Sequence, residues 1–451
     1  MTNQNLKILI LGGGFGGVRC ALDLERKIGN ESAITLVDKK SYHLFVPALY
    51  EVASAYGVKR DPFAIRLKKT ICIPYLDIFS GKKVNFIQAE VSAIDLENKK
   101  VATRGGEILG YDYLVIALGG QADDFDIPGV REYAFQFKDL EDALLLNKKI
   151  DELTKEVAEG RRERPIKIAV VGAGFTGIEI AAEFACCVKK FSRICGIKER
   201  CERVILLEAG PRILPAASDG ERNVILKRLT RLGIEVLEGA AAEEIGSSYI
   251  KLKNGKHLDI DLVIWAAGIR FPDLLERTPA LPLTEKPARG GSASGGKKIK
   301  VNNGLELVGV PGVFAVGDNT EFTDPKTNKP VSALAYVAVD QGKIAAKNIL
   351  RLLDPAPFEQ HFFGSFWLQL LKRCGVDNKK VVEYNPFYSV WIAPIGGKYA
   401  FAHLWGEFNV KGFLGWALRE AVDFKYMLSI LSVRKAISIM WQEITLFTKN
   451  D

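Results

Sequence analysis

The chain has 451 residues, 48% hydrophobic and 26% charged, a globular composition with room for more than one domain and far from disordered or disulfide-scaffold extremes. Its 62 Lys and Arg against 54 Asp and Glu leave a formal charge of +8, too mild at this length to argue for nucleic acid, so no nucleic-acid partner is expected. Seven cysteines without a CxxC pair fit a reducing compartment, and four histidines without metal-ligand spacing leave no metal site to expect.

The N-terminus lacks the basic, apolar and small-residue order of a signal peptide. Residues 7–11 read as a strand, 18–27 as a helix and 33–37 as a second strand closing on Asp38. The order recurs: a strand to Val171, glycines, a helix from about Gly177 and a strand 204–207 closing on Glu208. "YDYLVIALGG" at 111–120 reads as a buried strand, and "DLVIWAAGIR" at 261–270 is its counterpart. Two βαβ units imply an α/β chain with two dinucleotide-scale, Rossmann-like domains. Residues 287–298, "PARGGSASGGKK", read as a flexible surface loop. A strand ending "VFAVGDN" follows at 313–319, and 332–350 is helical in composition.

Residues 358–451 hold five of the six tryptophans. At the end Val433, Ala436, Ile437, Met440, Trp441, Ile444 and Phe447 fall at helical spacing, with Arg434, Lys435, Ser438, Gln442 and Glu443 opposite. No run is long and apolar enough to span a membrane, so any membrane contact is expected to be peripheral.

The glycines carry the chemistry. Gly12, Gly14 and Gly17 fit G-x-G-x-x-G after a strand: the first for a tight turn, the second for backbone approach to a pyrophosphate, the third for close helix packing. The helix start then offers free N–H groups and a positive dipole end to phosphates. Asp38 lies 21 residues beyond Gly17, where its carboxylate can accept from ribose hydroxyls. Gly172, Gly174 and Gly177 repeat the pattern, with Glu208 as the acid and the crossover enlarged by residues 186–203. An acid there favours NADH over NADPH, an inference weakened by nearby Arg212. Two dinucleotide sites suggest one tightly held and one exchanging cofactor, with a flavin as partner to nicotinamide.

These features resemble the two-dinucleotide-binding-domain flavoprotein reductases and, within them, the type II NADH dehydrogenases. "YHLFVPALYEVASA" at 42–55 is similar to the family's flavin-lining segment with its Pro47, and "GAGFTGIEIAAE" at 172–183 to its second motif. The resemblance implies FAD on Gly12, Gly14, Phe15, Gly16, Gly17, Asp38, Lys39, Pro47, Ala117, Gly119, Gly317, Asp318 and Ala333. It implies NADH on Gly172, Gly174, Phe175, Gly177, Glu208, Ala267 and Gly268. Glu179 takes the place of the acid near flavin and nicotinamide. Where the family reads A-Q-x-x-x-Q beneath the flavin, this chain has "AYVAVDQ", so Tyr336 and Asp340, four apart on one helix face, replace the two glutamines and are candidates for protonating the acceptor.

The implied organisation is an FAD domain of residues 1–120 and 299–356, an NADH domain of 121–298, and an aromatic, amphipathic helical region of 357–451 for membrane association or dimerisation. The implied reaction runs from NADH through flavin to a membrane quinone at the cytoplasmic face of the cell membrane. Alternatives are a sulfide:quinone oxidoreductase, using Cys186 or Cys187 with Cys374, and a flavin-bearing sensor or scaffold. Outside that alternative, Cys186, Cys187, Cys195 and Cys201 read as helix-packing or incidental thiols.

Overall fold

The computed structural model describes residues 6–29, 31–55, 68–162, 165–194, 202–285, 296–328, 330–353, 381–386, 390–404 and 408–450. The side chains of Cys187, Cys195, Cys201, Cys374 and Phe447, and most of the 287–298 loop, lie outside them.

In chain order the first unit is β1 (Leu6–Leu11), α1 (Phe15–Ile28), β2 (Ser32–Asp38), the short helix α2 (Leu49–Ser54), β3 (Val84–Gln88) and β4 (Tyr113–Ile116). Next come β5 (Ala134–Gln136), α3 (Leu140–Ala158), β6 (Ile166–Val171), α4 (Phe175–Ile194), β7 (Glu202–Leu207), α5 (Asp219–Leu232), β8 (Glu235–Leu237) and β9 (Leu262–Trp265). Then follow β10 (Val313–Ala315) and α6 (Ala335–Leu353). The tail holds β11 (Trp391–Pro394), β12 (Ala400–His403), β13 (Asn409–Gly412), α7 (Phe413–Ile430) and α8 (Val433–Asn450).

Two five-stranded parallel sheets carry the fold, in the orders β10-β4-β1-β2-β3 and β5-β9-β6-β7-β8. In each, the first strand of the βαβ unit is central and the strand order reverses beside it, between β1 and β4 and between β6 and β9. A crevice forms at the carboxyl ends of strands where the order reverses, which is where such sheets bind ligands. The central strands "LKILIL" and "IKIAVV" are almost wholly apolar because both faces are covered, one by helices and the other by a three-stranded antiparallel sheet: Leu9 and Leu11 pack with Ile94 and Val101, and Ala169 and Val171 with Ile245, Ile250 and Leu252. α1 begins at Phe15, three residues before the expected start: Gly16 and Gly17 are poor helix formers, yet they form its buried first turn.

The tail differs from the helical region expected. It opens with an antiparallel three-stranded sheet, β11-β12-β13. Its strands are four residues each, too short for a period-2 pattern to separate them from the aromatic background. α8 also departs from the expected division of faces. Ala436, Met440 and Glu443 are buried, whereas Val433, Ile437, Trp441 and Ile444 are exposed. Glu443 therefore lies on the inner face, not on the polar one.

Among the described residues, no helix is long and apolar enough to cross a membrane, and no cluster of His, Cys, Asp and Glu is arranged to hold a metal.

Candidate functional site

The two glycine turns are near-superposable in their physical requirements. Gly12 and Gly172 have φ of +100° and +101°, open to glycine and costly for other residues. A Cβ on Gly17 would stand 1.9 Å from the Gly12 carbonyl oxygen, and one on Gly177 would stand 1.8 Å from that of Gly172. The third glycine thus lets the helix close onto its own turn rather than onto the sheet.

At the middle glycine the requirement is for empty space. A Cβ on Gly14 or on Gly174 would meet nothing within 4 Å, and Gly14 is the N-cap of α1 without a capping side chain. The helix starts therefore keep unpaired N–H groups facing open ground, the condition for seating a pyrophosphate.

The two acids are held alike. Asp38 Oδ2 accepts from the Gly13 N–H at 2.6 Å and Oδ1 from that of Lys40 at 2.8 Å. Glu208 Oε2 accepts from the Ala173 N–H at 2.9 Å and Oε1 from that of Gly210 at 2.7 Å. Each carboxylate is half-buried beside its turn, with lone pairs left for ribose hydroxyls. Burial raises the Asp38 pKa, opposed by those two N–H groups and by the Tyr75 hydroxyl. Arg212 does not neutralise Glu208: its Nη1 pairs with Asp219 at 2.6 Å. These turns fit two dinucleotides.

Around the first turn, Lys39 is exposed and its carbonyl accepts from Gln88 at 3.3 Å. The Phe15 ring meets His43 edge-on at 4.8 Å and lies 5.0 Å from the Tyr426 ring. α1 and α6 touch at two glycines: a Cβ on Gly342 would stand 2.4 Å from the Gly16 oxygen, and one on Gly16 3.1 Å from the Ala338 oxygen. Ala117 is buried against Gly12, and the Gly119 N–H donates to Asn319 Oδ1 at 2.9 Å. The Gly317 N–H donates to Gln341 Oε1 at 2.7 Å, while Asp318 faces Lys138 at 3.8 Å. Gly317, Asp318 and Ala333 line one small cavity with Lys298, Thr320 and Gln341 at the start of α6. In the second unit Phe175 meets Trp391 at 5.3 Å, Ala267 abuts Gly172, and Gly268 adopts φ +75° against the Phe125 ring.

The three residues expected to handle protons occupy different settings. Glu179, on α4, is half-buried, and burial pushes its carboxyl up to about 7, opposed by the Arg419 charge and aided by that of Asp423. Tyr336 is half-buried, its hydroxyl pKa raised by burial and by Asp340. Asp340 itself pairs with Lys343 at 2.7 Å, with both side chains more than two-fifths exposed.

Sequence reasoning missed several anchors. Asn319 and Gln341 are fully buried amides that hold the two glycine loops. The neighbouring "GDN" and "DQ" were the available signal. Arg419 stands in no motif of the sequence. It is 4% exposed, donates to Glu51 at 3.0 Å and to the Pro47 carbonyl at 3.3 Å, and pairs with Glu420 and Asp423, both at 3.2 Å. Nearby, buried His43 lies 3.0 Å from the Gly13 oxygen and 2.9 Å from the Tyr426 hydroxyl. Burial lowers its pKa to about 4, so it is neutral at pH 7.

Paired parallel sheets, each with a phosphate-ready glycine turn and a ribose-ready acid, define a dinucleotide-dependent oxidoreductase. The profile of pyridine nucleotide-disulphide oxidoreductases matches residues 6–342, and the chain belongs to that family. Its relatives include type II NADH:quinone oxidoreductases. That of Staphylococcus saprophyticus is 30% identical over 363 residues, covering 79% of this chain and 85% of the relative. That of Staphylococcus aureus is 29% identical over 366 residues, covering 80% and 86%. Among solved structures, NDH2 from Plasmodium falciparum in complex with NADH aligns with a TM-score of 0.76 at 19% identity, over 99% of this chain and 97% of that one. The sulfide:quinone oxidoreductase of Aquifex aeolicus aligns at 0.68 and 19% identity, over 94% and 90%. At such identities both structures speak to the fold.

Proposed function

We propose that the chain is an FAD-dependent NADH:quinone oxidoreductase of the type II kind, working on a membrane surface. The observation that carries this reading is the duplicated turn, with both acids held by backbone N–H groups and both middle glycines facing open ground. An intact second turn with Glu208 favours NADH as donor over sulfide, in keeping with the activity named for the relatives.

On this reading Gly14, the start of α1, Asp38 and the Gly317–Asp318 turn hold FAD, and Gly174, the start of α4 and Glu208 hold NADH. Bound FAD would take up hydride from nicotinamide and release electrons to the acceptor. The chain's own part is positioning, which supplies most of what hydride transfer requires. The neutral start of α6 presents N–H groups toward the Gly317 cavity, where a helix N-terminus stabilises negative charge. Glu179 stands where an acid can hold a proton at neutral pH.

Residues 1–120 with 299–356 form the flavin domain, 121–298 the nicotinamide domain, and 357–451 the membrane-associating region. For membrane contact the support is the outward face of α8: Val433, Ile437 and Trp441 are 62%, 52% and 70% exposed, continued by Phe413 and Leu414 on α7. An exposed apolar patch flanked by Arg434 and Lys411 suits the interface of an anionic bilayer, on the cytoplasmic side, and leaves a homodimer open.

The deciding experiment measures NADH oxidation by the flavin-loaded protein with a soluble quinone analogue and, separately, quinone reduction by sulfide. Turnover with NADH and none with sulfide is expected; the reverse refutes the proposal. An Ile437→Ser, Trp441→Ser double variant is expected to stop sedimenting with anionic vesicles while retaining its flavin.

A further inference from the structure

Beneath the segment that lines the proposed flavin site, helices α2, α4, α7 and α8 meet around one guanidinium. Arg419 lies buried between Glu51 of α2 and Glu420 and Asp423 of its own helix. From α8, Glu443 is 2% exposed and feels the charges of Glu51 and Arg419. Among the described residues, neither of its oxygens has a hydrogen-bond partner, nor does Glu51 Oε2. From α4, Glu179 and Glu183 face the cluster, Glu183 accepting from the Gly397 N–H at 3.2 Å. The Tyr50 ring and its unpartnered hydroxyl complete the surround.

Four carboxyls against one fixed positive charge cannot all be ionised in such a place. Fully charged, Glu51, Glu420, Asp423 and Glu443 with Arg419 would bury a net charge of −3, and an isolated buried carboxylate already costs several kcal/mol. Protons must reside there. Burial pushes Glu51 up to about 8 and Asp423 to about 7, and holds Glu443 well above the carboxylate range. Glu443, whose oxygens find no partner, is the natural holder of one.

We propose that the carboxyls of Glu51, Asp423 and Glu443, gathered around Arg419, are an internal proton store for reduction of the acceptor at the proposed flavin site, whose lining segment Arg419 grips at Glu51 and the Pro47 carbonyl. The inference rests on the quinone reading above. In sum, NADH, one proton and a quinone become NAD and a quinol, so each turnover consumes one proton beyond the hydride. Here the O–H bond of a stored carboxyl breaks, an O–H bond of the quinol forms, and the carboxylate left behind is stabilised by the nearby Arg419 charge until a proton taken up from bulk water replaces the one spent. No oxidant or reductant beyond NADH and the quinone is required.

The test compares the full-length, flavin-loaded chain with Glu443→Gln and Glu51→Gln, in two readouts. Infrared spectroscopy at neutral pH is expected to show a D2O-sensitive protonated-carboxyl C=O stretch that loses intensity in each variant. Steady-state rates of quinone reduction, referred to ferricyanide reduction because ferricyanide takes electrons without protons, are expected to fall about tenfold at pH 8 in Glu443→Gln, with the pH profile displaced. An unaltered carboxyl band in both variants, or an unaltered quinone-to-ferricyanide ratio and pH profile in whichever variant folds, overturns the store while leaving the enzyme's function standing. A wild-type chain that reduces ferricyanide but no quinone overturns the proposed function and, with it, the store's role.

Discussion

Glu208→Gln tests the nicotinamide side most directly, because it keeps the side chain's shape and removes its charge. The carboxylate accepts from two backbone N–H groups at 2.9 and 2.7 Å. An amide has one oxygen, so one of them faces an NH2 group and loses its acceptor, at a cost of about 1–3 kcal/mol. That cost applies with either nucleotide and cancels when NADH is compared with NADPH. The charge does not cancel. One unit charge at about 4 Å from the 2′-phosphate of NADPH repels it by ~1 kcal/mol in water-like surroundings and ~4 kcal/mol near a protein surface. Since Glu208 is half-buried, a value near the lower end, ~1.4 kcal/mol, is appropriate, or about tenfold in relative affinity. Arg212 is committed to Asp219 and does not neutralise Glu208. Measured as kcat/KM for each nucleotide with one common acceptor, the preference for NADH should narrow about tenfold. A ratio within about twofold of wild type, at unchanged flavin content, refutes the placement of Glu208 beside the adenosine ribose.

Two further expectations concern the flavin turn and pH. Gly17→Ala drives a Cβ to 1.9 Å from the Gly12 oxygen, a clash worth at least about 1–3 kcal/mol, whereas Gly14→Ala meets only open space. Flavin absorbance and thermal unfolding should therefore separate the two: Gly17→Ala loses stability and flavin together, Gly14→Ala loses flavin from a chain whose apoprotein melts as before. Equal melting of the two apoproteins would contradict this geometry. As for pH, the fold raises Glu51 from 4.5 to about 8. The protonated form is the one favoured, so its contribution is complete below pH 4.5 and is lost as pH rises through 8. Unfolding midpoints should decline over that window in the wild type and decline less in Glu51→Gln; parallel curves would speak against a buried, proton-bearing Glu51.

Both βαβ units, their turns and their acids were legible because each is written within about forty residues, in patterns fixed by local sterics. Gly12, Gly172, Asp38 and Glu208 act on neighbours in their own unit. Arg419 has no such local signature. It meets Glu51 across 368 residues, and a charged residue in an aromatic tail reads first as solvated. Glu443 was hidden for another reason. The apolar stripe of α8 is wider than one contact face, and periodicity alone does not tell which flank turns inward. At the start of α6 the eye falls on Tyr336 and Asp340, whereas Gln341, one residue further, is the buried side chain that fixes Gly317.

The ends of the chain are fastened together. Arg19 of α1 donates to the Ser429 carbonyl across 410 residues, Tyr426 reaches His43, and Arg419 holds Pro47 and Glu51. A ribosome delivers the first glycine turn early, with Asp38 and His43 that hold it, but the outer supports on α7 emerge about 400 residues later. The flavin cradle thus reaches its final form only once α7 is made, and capture of the cofactor becomes a quality check on the chain through that helix: a chain cut short before α7 displays both nucleotide turns but lacks the contacts α7 makes to His43, Pro47 and Glu51.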